Sequence, residues 1–256
     1  MTVSYRLEDG VALLILDDVS RHNALSRAMI AKLNRSHDRS IRDGARAIVL
    51  ASNGPSFCAG ANIDDLRSGW MDGGDPETDP LQFFRRLATD RRVTIAAVQG
   101  TAAGGGLELT LACDLVIAGE RATFLTPELG HGVIPPLGIA VLPYVVGRHR
   151  AMDMVLTRRK VDAEEAVRIG LAIHRAEGDD VISAAVTLAR SIVERVPPGA
   201  LGVAKQQLSR HQPLDWTSIL SCSGEVPPAE WREGLDSFME KRRPDYDRFW
   251  RRSDHF

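Results

Sequence analysis

The sequence has little cysteine, no long apolar run and no export signal. Its 256 residues include three cysteines, Cys58, Cys113 and Cys222, which are widely spaced and form no CxxC pair. This usage fits a reducing cytoplasm and argues against a disulfide framework or a zinc site. No apolar run is long enough to span a bilayer, and the N-terminus lacks a basic-then-apolar pattern. The sequence therefore predicts a cytoplasmic protein that holds no metal and has no membrane partner.

An excess of one charge is also missing. The 32 basic and 34 acidic residues give a formal net charge of −2, so the overall charge does not favour nucleic acid as a partner. Only the run KRRPDYDRFWRR at 241–252 is markedly basic. We expect its aromatic residues, Tyr246, Phe249 and Trp250, to pack against a neighbouring subunit rather than to stack on bases. The length allows one domain, or one domain with an appendage.

What the sequence does contain is a glycine-rich junction, TAAGGGLELTLACD, at 101–114. Its three consecutive glycines follow a buried strand pattern and lead into an apolar helix pattern. Glycines at such a junction let a ligand approach the backbone and leave helix N-terminal N–H groups free to bind negative charge. Glu108 lies one turn into this helix, and Glu128 lies in the later loop TPELG. N–H donors beside two carboxylates are the groups needed to polarise a carbonyl and to move protons.

The remaining pattern predicts an α/β chain that becomes helical towards its C-terminus. Short buried strands alternate with helices, which suggests parallel β-α units. We find no internal sequence repeat. The predicted strands are 5–8, 11–17, 45–51, 94–99 and 114–118, the predicted helices are 26–43, 80–92, 163–169, 179–195, 200–211 and 228–241, and 70–80 is predicted to be a mobile loop.

Four segments in one order resemble the crotonase superfamily, the enoyl-CoA hydratase/isomerase family, over residues 3 to 250. They are RHNAL, SFCAGANIDDL, the GGG junction with TPELG, and SFMEKRRPDY. The resemblance implies an α/β fold, a crotonase-like spiral of ββα units with a C-terminal helical trimerisation region. We place the crotonase core, with the coenzyme A (CoA) site and the active site, at 1–195 and the helical oligomerisation region at 196–256. Family members commonly form trimers or dimers of trimers, so we expect a homotrimer or a dimer of trimers.

The resemblance also implies an oxyanion site and two catalytic carboxylates. The backbone N–H groups of Ala61 and Gly105 match those that hold the thioester oxygen as it becomes enolate-like. Glu108 and Glu128 match two glutamates that bracket a water adding across the double bond of an enoyl thioester. One deprotonates the water and the other handles the proton at the α carbon, and a dry pocket would raise their pKa towards working pH. This implies an enoyl-CoA hydratase-like lyase that converts a 2-enoyl-CoA to a 3-hydroxyacyl-CoA.

Contacts to an acyl-CoA substrate follow from the same resemblance. No cofactor is expected, since coenzyme A enters as part of the substrate. Lys241 and Arg242 match a basic pair that can approach the phosphates, often in a neighbouring subunit, and Phe238 matches an aromatic residue that closes the acyl pocket. The positions matched along the rest of the CoA are Arg21, Ala24 and Leu25 by the ADP and pantetheine, and Asn62, Ile63 and Asp64 by the adenine.

One loop departs from the hydratase pattern. Pro136 falls where hydratases typically have a glycine whose N–H helps to hold the catalytic water, and proline has no N–H. Ile139 replaces a small residue and is expected to add bulk near the acyl pocket. His131 is unusual in this loop and is interpreted as a surface or packing residue. Elsewhere in the chain, Cys58 has no evident histidine partner that would make it a nucleophile.

Several other functions therefore stay open. On the same scaffold they are double-bond isomerisation, hydrolysis of a CoA thioester and carbon–carbon cleavage. A non-catalytic relative that binds CoA or RNA is the alternative from a different class.

Overall fold

The computed structural model describes residues 2–70, 75–177, 180–210 and 214–250. In this part of the chain the strands form two sheets, and the helices cover them. The strands are β1 (Val3–Glu8), β2 (Val11–Leu16), β3 (Ala47–Ser52), β4 (Ser56–Cys58), β5 (Val93–Val98), β6 (Thr101–Ala103), β7 (Leu115–Ala118), β8 (Thr123–Leu125), β9 (Val161–Asp162) and β10 (His174–Arg175).

The helices become more frequent towards the C-terminus. They are α1 (Arg27–Arg42), α2 (Ile63–Arg67), α3 (Pro80–Ala88), α4 (Gly105–Leu111), α5 (Pro136–Val145), α6 (Arg148–Thr157), α7 (Ala163–Ile169), α8 (Val181–Arg195), α9 (Pro198–Arg210), α10 (Trp216–Ser221), α11 (Pro228–Met239) and α12 (Asp247–Trp250). None of the helices in the described ranges is long and apolar enough to cross a membrane.

The larger sheet has six strands in the order β1-β2-β3-β5-β7-β10. β1 and β2 form an antiparallel hairpin, and the pairs from β2 to β10 are parallel. Asp9 and Gly10 both have positive φ at the hairpin turn, as a two-residue turn of this hand requires. Every residue of β2, β3 and β5 is buried, because helices cover both faces of the sheet.

Alternate residues of the sheet enter two separate cores. In β2, Leu14 and Leu16 join the larger core with α1, α3 and α4, whereas Leu13 and Ile15 join the smaller core under α8. This division follows the two-residue period of a strand. The smaller sheet, β4-β6-β8-β9, extends from the larger core, and its strands β4 and β6 end at the two glycine loops.

The predicted α/β arrangement with parallel units is confirmed, and most predicted elements are found within a few residues of their expected bounds. Ser26 caps α1 by accepting a hydrogen bond from the Met29 N–H, as its position in the sequence predicts. The helix predicted at 80–92 is too long: α3 ends at Ala88 because Asp90 turns the chain into β5 and accepts a bond from the Arg92 N–H.

Some elements were missed. The sequence interpretation gave no bounds for α5 and α6 and described the stretch around Pro136 as a loop. Pro136 instead occupies the first turn of α5, where its missing N–H costs nothing.

Some predictions lie partly outside the described residues. These are residues 71–74 of the predicted loop, the ends of the helices predicted at 179–195 and 200–211, and Arg251 and Arg252 of the basic run. The domain division at 195 stays a prediction.

Candidate active site

The glycine-rich junction connects β6 to α4. Gly104 has φ 55° and ψ −125°, a conformation that only glycine adopts readily, and a Cβ there would lie 2.6 Å from Glu128 Oε1. Gly105 is the first residue of α4. Its N–H is therefore one of the first-turn donors that have no acceptor within the helix. The junction thus presents a free donor on a tightly packed backbone.

The second predicted donor, Ala61, lies directly beside this junction. Leu25 donates to the Gly60 carbonyl at 2.7 Å and accepts from the Asn62 N–H at 2.6 Å, which makes a parallel bridge with Ala61. Because Leu25 makes both bonds of the bridge with the neighbours of Ala61, the Ala61 N–H points to the opposite side. A Cβ on Gly105 would lie 3.7 Å from Ala61 N. The structure therefore brings the two predicted donors together.

Glu108 is buried in the first turn of α4, with 5% of its surface exposed. Its Oε1 accepts hydrogen bonds from the N–H groups of Leu137, at 2.7 Å, and Gly138, at 3.1 Å, both in the first turn of α5. Burial raises the pKa of Glu108 to about 7, and the two N–H bonds act in the opposite direction because they favour the charged form. Glu108 therefore binds a proton more readily than an exposed glutamate does.

Glu128 begins the short 3-10 helix Glu128–His131 and is also buried. Its Oε1 lies against Gly104, and within the described ranges no group forms a hydrogen bond with its buried Oε2. Burial and then the negative charge of Glu108 raise the pKa of Glu128 to about 8. Burial raises both pKa values, and the two carboxyls influence each other's charge.

Pro136 affects this site differently from the sequence expectation. It does lack the N–H, but it starts α5, and the next two N–H groups of the helix bind Glu108. The signal that could have predicted this is a proline at the first helical position followed by free first-turn donors. Ile139, the next residue after these donors, is 45% exposed, and its predicted influence on the acyl pocket stays a prediction.

The two segments predicted to follow the CoA lie side by side. Leu25 is buried in the bridge to Ala61, and Ala24 precedes it half-buried. Arg21 is exposed and lies 4.0 Å from Asp18. The three residues after Ala61 form the start of α2. The side chain of Asn62 caps this helix by accepting a hydrogen bond from the Asp65 N–H. Ile63 is half-buried and Asp64 is exposed.

Asn23 is a positioning residue that the sequence interpretation missed. It is buried with φ 56°, and its amide donates to the carbonyls of Asn53 and Ser56. Its Oδ1 accepts from the Asp18 N–H. These bonds attach the RHNAL segment to the loop before β4. Asparagine is enriched in the left-handed conformation, but its presence alone is a weak signal.

The predicted C-terminal residues lie around the turn that carries Glu128. The Phe238 ring is 50% exposed, and its centroid lies 4.9 Å from that of His131 in an edge-to-face contact, so His131 packs as expected. The Arg242 guanidinium pairs with Glu233 and Glu240, each at 2.5 Å. Arg242 is therefore not free within one chain, whereas Lys241 is exposed and has φ 53°.

Other chemistry has little support in the described part of the chain. Cys58 is buried, and burial raises the pKa of its thiol to about 12, which makes it a poor nucleophile. The described residues contain no group of three or more histidine, cysteine or acidic side chains placed to hold a metal ion. The carboxyl pair beside two backbone donors is the arrangement best suited to polarise a carbonyl and transfer protons.

Comparison with known proteins gives the same result. The family model for enoyl-CoA hydratase/isomerase matches residues 6–248. A probable enoyl-CoA hydratase from Rhodobacter capsulatus is 35% identical over 96% of this chain and 97% of its own length. A probable enoyl-CoA hydratase from Rhizobium meliloti is 33% identical over 96% and 97%. The crystal structure of an enoyl-CoA hydratase/isomerase from Pseudoalteromonas atlantica has a TM-score of 0.86 and 28% identity, with 96% of this chain and 99% of that chain covered. The chain therefore has the crotonase fold and belongs to the enoyl-CoA hydratase/isomerase family.

Proposed function

We propose that the protein hydrates a 2-enoyl-CoA to a 3-hydroxyacyl-CoA. The observation that carries this proposal is the pair of buried carboxyls, Glu108 and Glu128, whose pKa values are raised towards working pH beside two backbone donors. The names of the relatives from Rhodobacter capsulatus and Rhizobium meliloti support the same reaction and an acyl-CoA substrate.

The backbone donors hold the thioester. A Cβ on Gly105 would lie 3.7 Å from Ala61 N, and this close packing supports the binding of one carbonyl oxygen by the N–H groups of Ala61 and Gly105. As water adds at C3, negative charge develops on that oxygen. Preorganised donors stabilise such charge, and removal of one donor of this kind costs about 3 to 4 kcal/mol in other enzymes.

The different surroundings of the two carboxyls assign their roles. Glu108 accepts two N–H bonds, which favour its carboxylate form, so it takes the proton from the attacking water. Glu128 is buried, its Oε2 accepts no hydrogen bond within the described ranges, and burial and the charge of Glu108 raise its pKa, so it is protonated and delivers its proton to C2. The new bonds are C3–O and C2–H, and the cycle closes when Glu108 loses its proton and Glu128 regains one. Two carboxyls in different surroundings are suited to one base step and one acid step.

The test follows the loss of the enone-thioester absorbance of crotonyl-CoA. Glu108→Gln and Glu128→Gln each keep the shape of the side chain but cannot transfer the proton, so each is expected to lower kcat/KM at least about 100-fold. Glu120→Gln removes a charge from an exposed glutamate and is the matched control. Wild-type turnover that both active-site variants retain would contradict the proposal.

Double-bond isomerisation is a second candidate, and Pro136 is the observation that favours it. The first-turn donors of α5 bind Glu108, and position 136 offers no N–H for a water. Glu128 alone could then move a proton between C2 and C4 of a 3-enoyl-CoA. Under this alternative, the enone absorbance rises when 3-enoyl-CoA is added, and Glu108→Gln keeps most of that activity whereas Glu128→Gln loses it.

The finer properties are proposals as well. Three of them rest on the family resemblance: the oxyanion roles of Ala61 and Gly105, the CoA contacts predicted above, and a homotrimer or a dimer of trimers. A cytoplasmic location rests on the cysteine usage and the N-terminal sequence. The close packing of the RHNAL and CAGAN segments supports the predicted CoA contacts. A salt-dependent retention on RNA would favour the alternative of an RNA-binding relative.

A further inference from the structure

The turn that carries Glu128 is held by the C-terminal part of the same chain. This turn consists of the 3-10 helix Glu128–His131 and the residue that ends it, Gly132. Helix α11 packs against it, and the chain then folds back so that Tyr246 reaches the same turn. We call residues 228–246 the C-terminal brace. The brace contacts the backbone of the turn at three successive residues.

Two glycines allow the backbones of the turn and of α11 to meet. Gly234 lies within α11, and a Cβ there would overlap the His131 carbonyl oxygen. Gly132 has φ 67°, and a Cβ there would lie 2.5 Å from the Glu230 carbonyl oxygen. A side chain at either position would therefore push the turn and α11 apart, because close-packed backbone cannot give way as the end of a flexible side chain can.

A hydrogen bond provides the third contact. The Tyr246 hydroxyl donates to the Gly130 carbonyl at 3.1 Å. A Cβ on Gly234 would lie 2.6 Å from this hydroxyl, so the glycine leaves room for the tyrosine as well. The Arg158 guanidinium also lies on Gly130, where a Cβ would overlap it. The turn is thus confined by packing as well as by the hydrogen bond.

Glu233 keeps the brace folded. It is buried, and its carboxylate pairs with Arg242 at 2.5 Å and with Arg248 at 3.0 Å. It also accepts a hydrogen bond from the Asp245 N–H at 2.8 Å. These bonds fix the fold-back of the chain directly before Tyr246. The position of the tyrosine hydroxyl is therefore set by a hydrogen-bonded segment.

Glu128 depends on this support more than Glu108 does. Glu108 accepts two N–H bonds from α5. By contrast, Glu128 Oε2 accepts no hydrogen bond within the described ranges, and the hydrogen bond that lowers its pKa comes from its own N–H. The Gly130 N–H donates to the Pro127 carbonyl and the Val133 N–H to the Glu128 carbonyl, so the turn moves as a unit. The position of the turn therefore sets the position of the Glu128 carboxyl.

We propose that the C-terminal brace positions Glu128 for proton delivery to C2, and that Gly234 and Tyr246 are positioning residues for this step. The C-terminal region would then be needed for catalysis within its own chain, besides the assembly expected of it. The inference rests on the proposed function, because it assumes that the Glu128 carboxyl transfers a proton.

The kinetic test compares kcat with KM for crotonyl-CoA. Gly234→Ala displaces the turn and is expected to lower kcat at least about tenfold with KM within about twofold of wild type. Tyr246→Phe removes only the hydrogen bond and is expected to give a smaller loss of the same kind. Gly199→Ala adds the same methyl group in α9, where a Cβ has no neighbour within 4 Å, and is expected to change neither constant.

The pH profile distinguishes positioning from a general loss of folded protein. Water that reaches Glu128 in a displaced turn weakens the effect of burial, so the pKa of Glu128 falls towards its ordinary value. Glu128 must be protonated to deliver its proton. In Gly234→Ala the decline of kcat at high pH is therefore expected at lower pH than in wild type. Loss of folded protein would lower the rate without moving this limb.

A stability measurement tests the inference without turnover. Glu128→Gln removes a buried carboxylate, so it is expected to stabilise the protein more at pH 8 than at pH 5. Urea unfolding measures this pH-dependent gain in the wild-type, Gly234→Ala and Gly199→Ala backgrounds. The gain is expected to shrink at least about twofold in the Gly234→Ala background and to persist in Gly199→Ala. Should Gly234→Ala not fold, Tyr246→Phe provides the background for the same comparison.

The outcomes separate this inference from the proposed function. A pH-dependent gain that is equal in all backgrounds overturns the inference, and so does a wild-type kcat in both Gly234→Ala and Tyr246→Phe. A wild-type protein that does not hydrate crotonyl-CoA contradicts the proposed function alone. In that case a reduced gain in the Gly234→Ala background still supports the brace as the element that positions the Glu128 carboxyl.

Discussion

Glu128→Gln is expected to make the protein more stable at pH 8 while it removes the proposed activity. The Glu128 carboxyl is buried, and its Oε2 forms no hydrogen bond within the described ranges. A buried carboxylate without a partner is costly, whereas a protonated carboxyl or an amide costs much less. The substitution therefore removes a destabilising charge that we attribute to function.

The magnitude follows from the raised pKa. Burial and the charge of Glu108 raise the pKa of Glu128 from 4.5 to about 8. Between these values the folded state binds more protons than the unfolded state, so the free energy of unfolding falls as the pH rises. At about 1.4 kcal/mol per pH unit, the stability gained by Glu128→Gln is about 3 to 4 kcal/mol larger at pH 8 than at pH 5.

The assay is urea unfolding of wild type and variant at pH 5 and pH 8. Both proteins are compared at the same protomer concentration, because any assembly would shift the apparent stability. Glu120→Gln, which changes an exposed side chain, is expected to show no such difference between the two pH values. A stability gain that is the same at both pH values, or a variant that is less stable at pH 8, would refute the reasoning.

Three further predictions concern the surroundings of the site. Gly104→Ala is expected to destabilise the fold by about 1 to 3 kcal/mol and to lower the hydration rate at least about tenfold. The reason is that φ at this position is 55° and the new Cβ would meet Glu128 Oε1. Urea unfolding measures the first effect and the crotonyl-CoA assay measures the second. Cys58 is expected to resist alkylation until the protein unfolds, since it is buried and its pKa is about 12; mass spectrometry of the native and the urea-treated protein checks this. Asp90→Asn is expected to lower the free energy of unfolding by about 3 kcal/mol, because the buried carboxylate accepts from His37 and Arg92; thermal unfolding at neutral pH measures the loss.

The strands and the hairpin could be predicted because their signals are local. β3 and β5 are continuous apolar runs, and Asp9-Gly10 is a turn signal between two such runs. The helices α5 and α6 could not be predicted in the same way. The three prolines in and just before α5 are ordinary loop signals, and Pro136 is compatible with the helix because it occupies the first turn, which the neighbouring residues alone did not indicate.

The candidate site could be predicted as a set of residues but not as an electrostatic arrangement. The motifs indicated Ala61, Gly105, Glu108 and Glu128, and the structure brings these residues together. The expectation for Pro136 considered only its own missing N–H. The structure shows that the two following N–H groups bind Glu108, a contact between residues 29 and 30 positions apart that no local pattern contains.

The sequence by itself determined which segments become buried strands, where α1 begins and which residue types form the site. These properties depend on backbone preferences and on neighbours a few positions away. Only the tertiary structure decided that Glu108 has two donors while Glu128 Oε2 has none within the described ranges, and that Arg158 lies on Gly130. The physical reason is that burial and charge act through space, so the pKa of a carboxyl depends on what the fold packs around it.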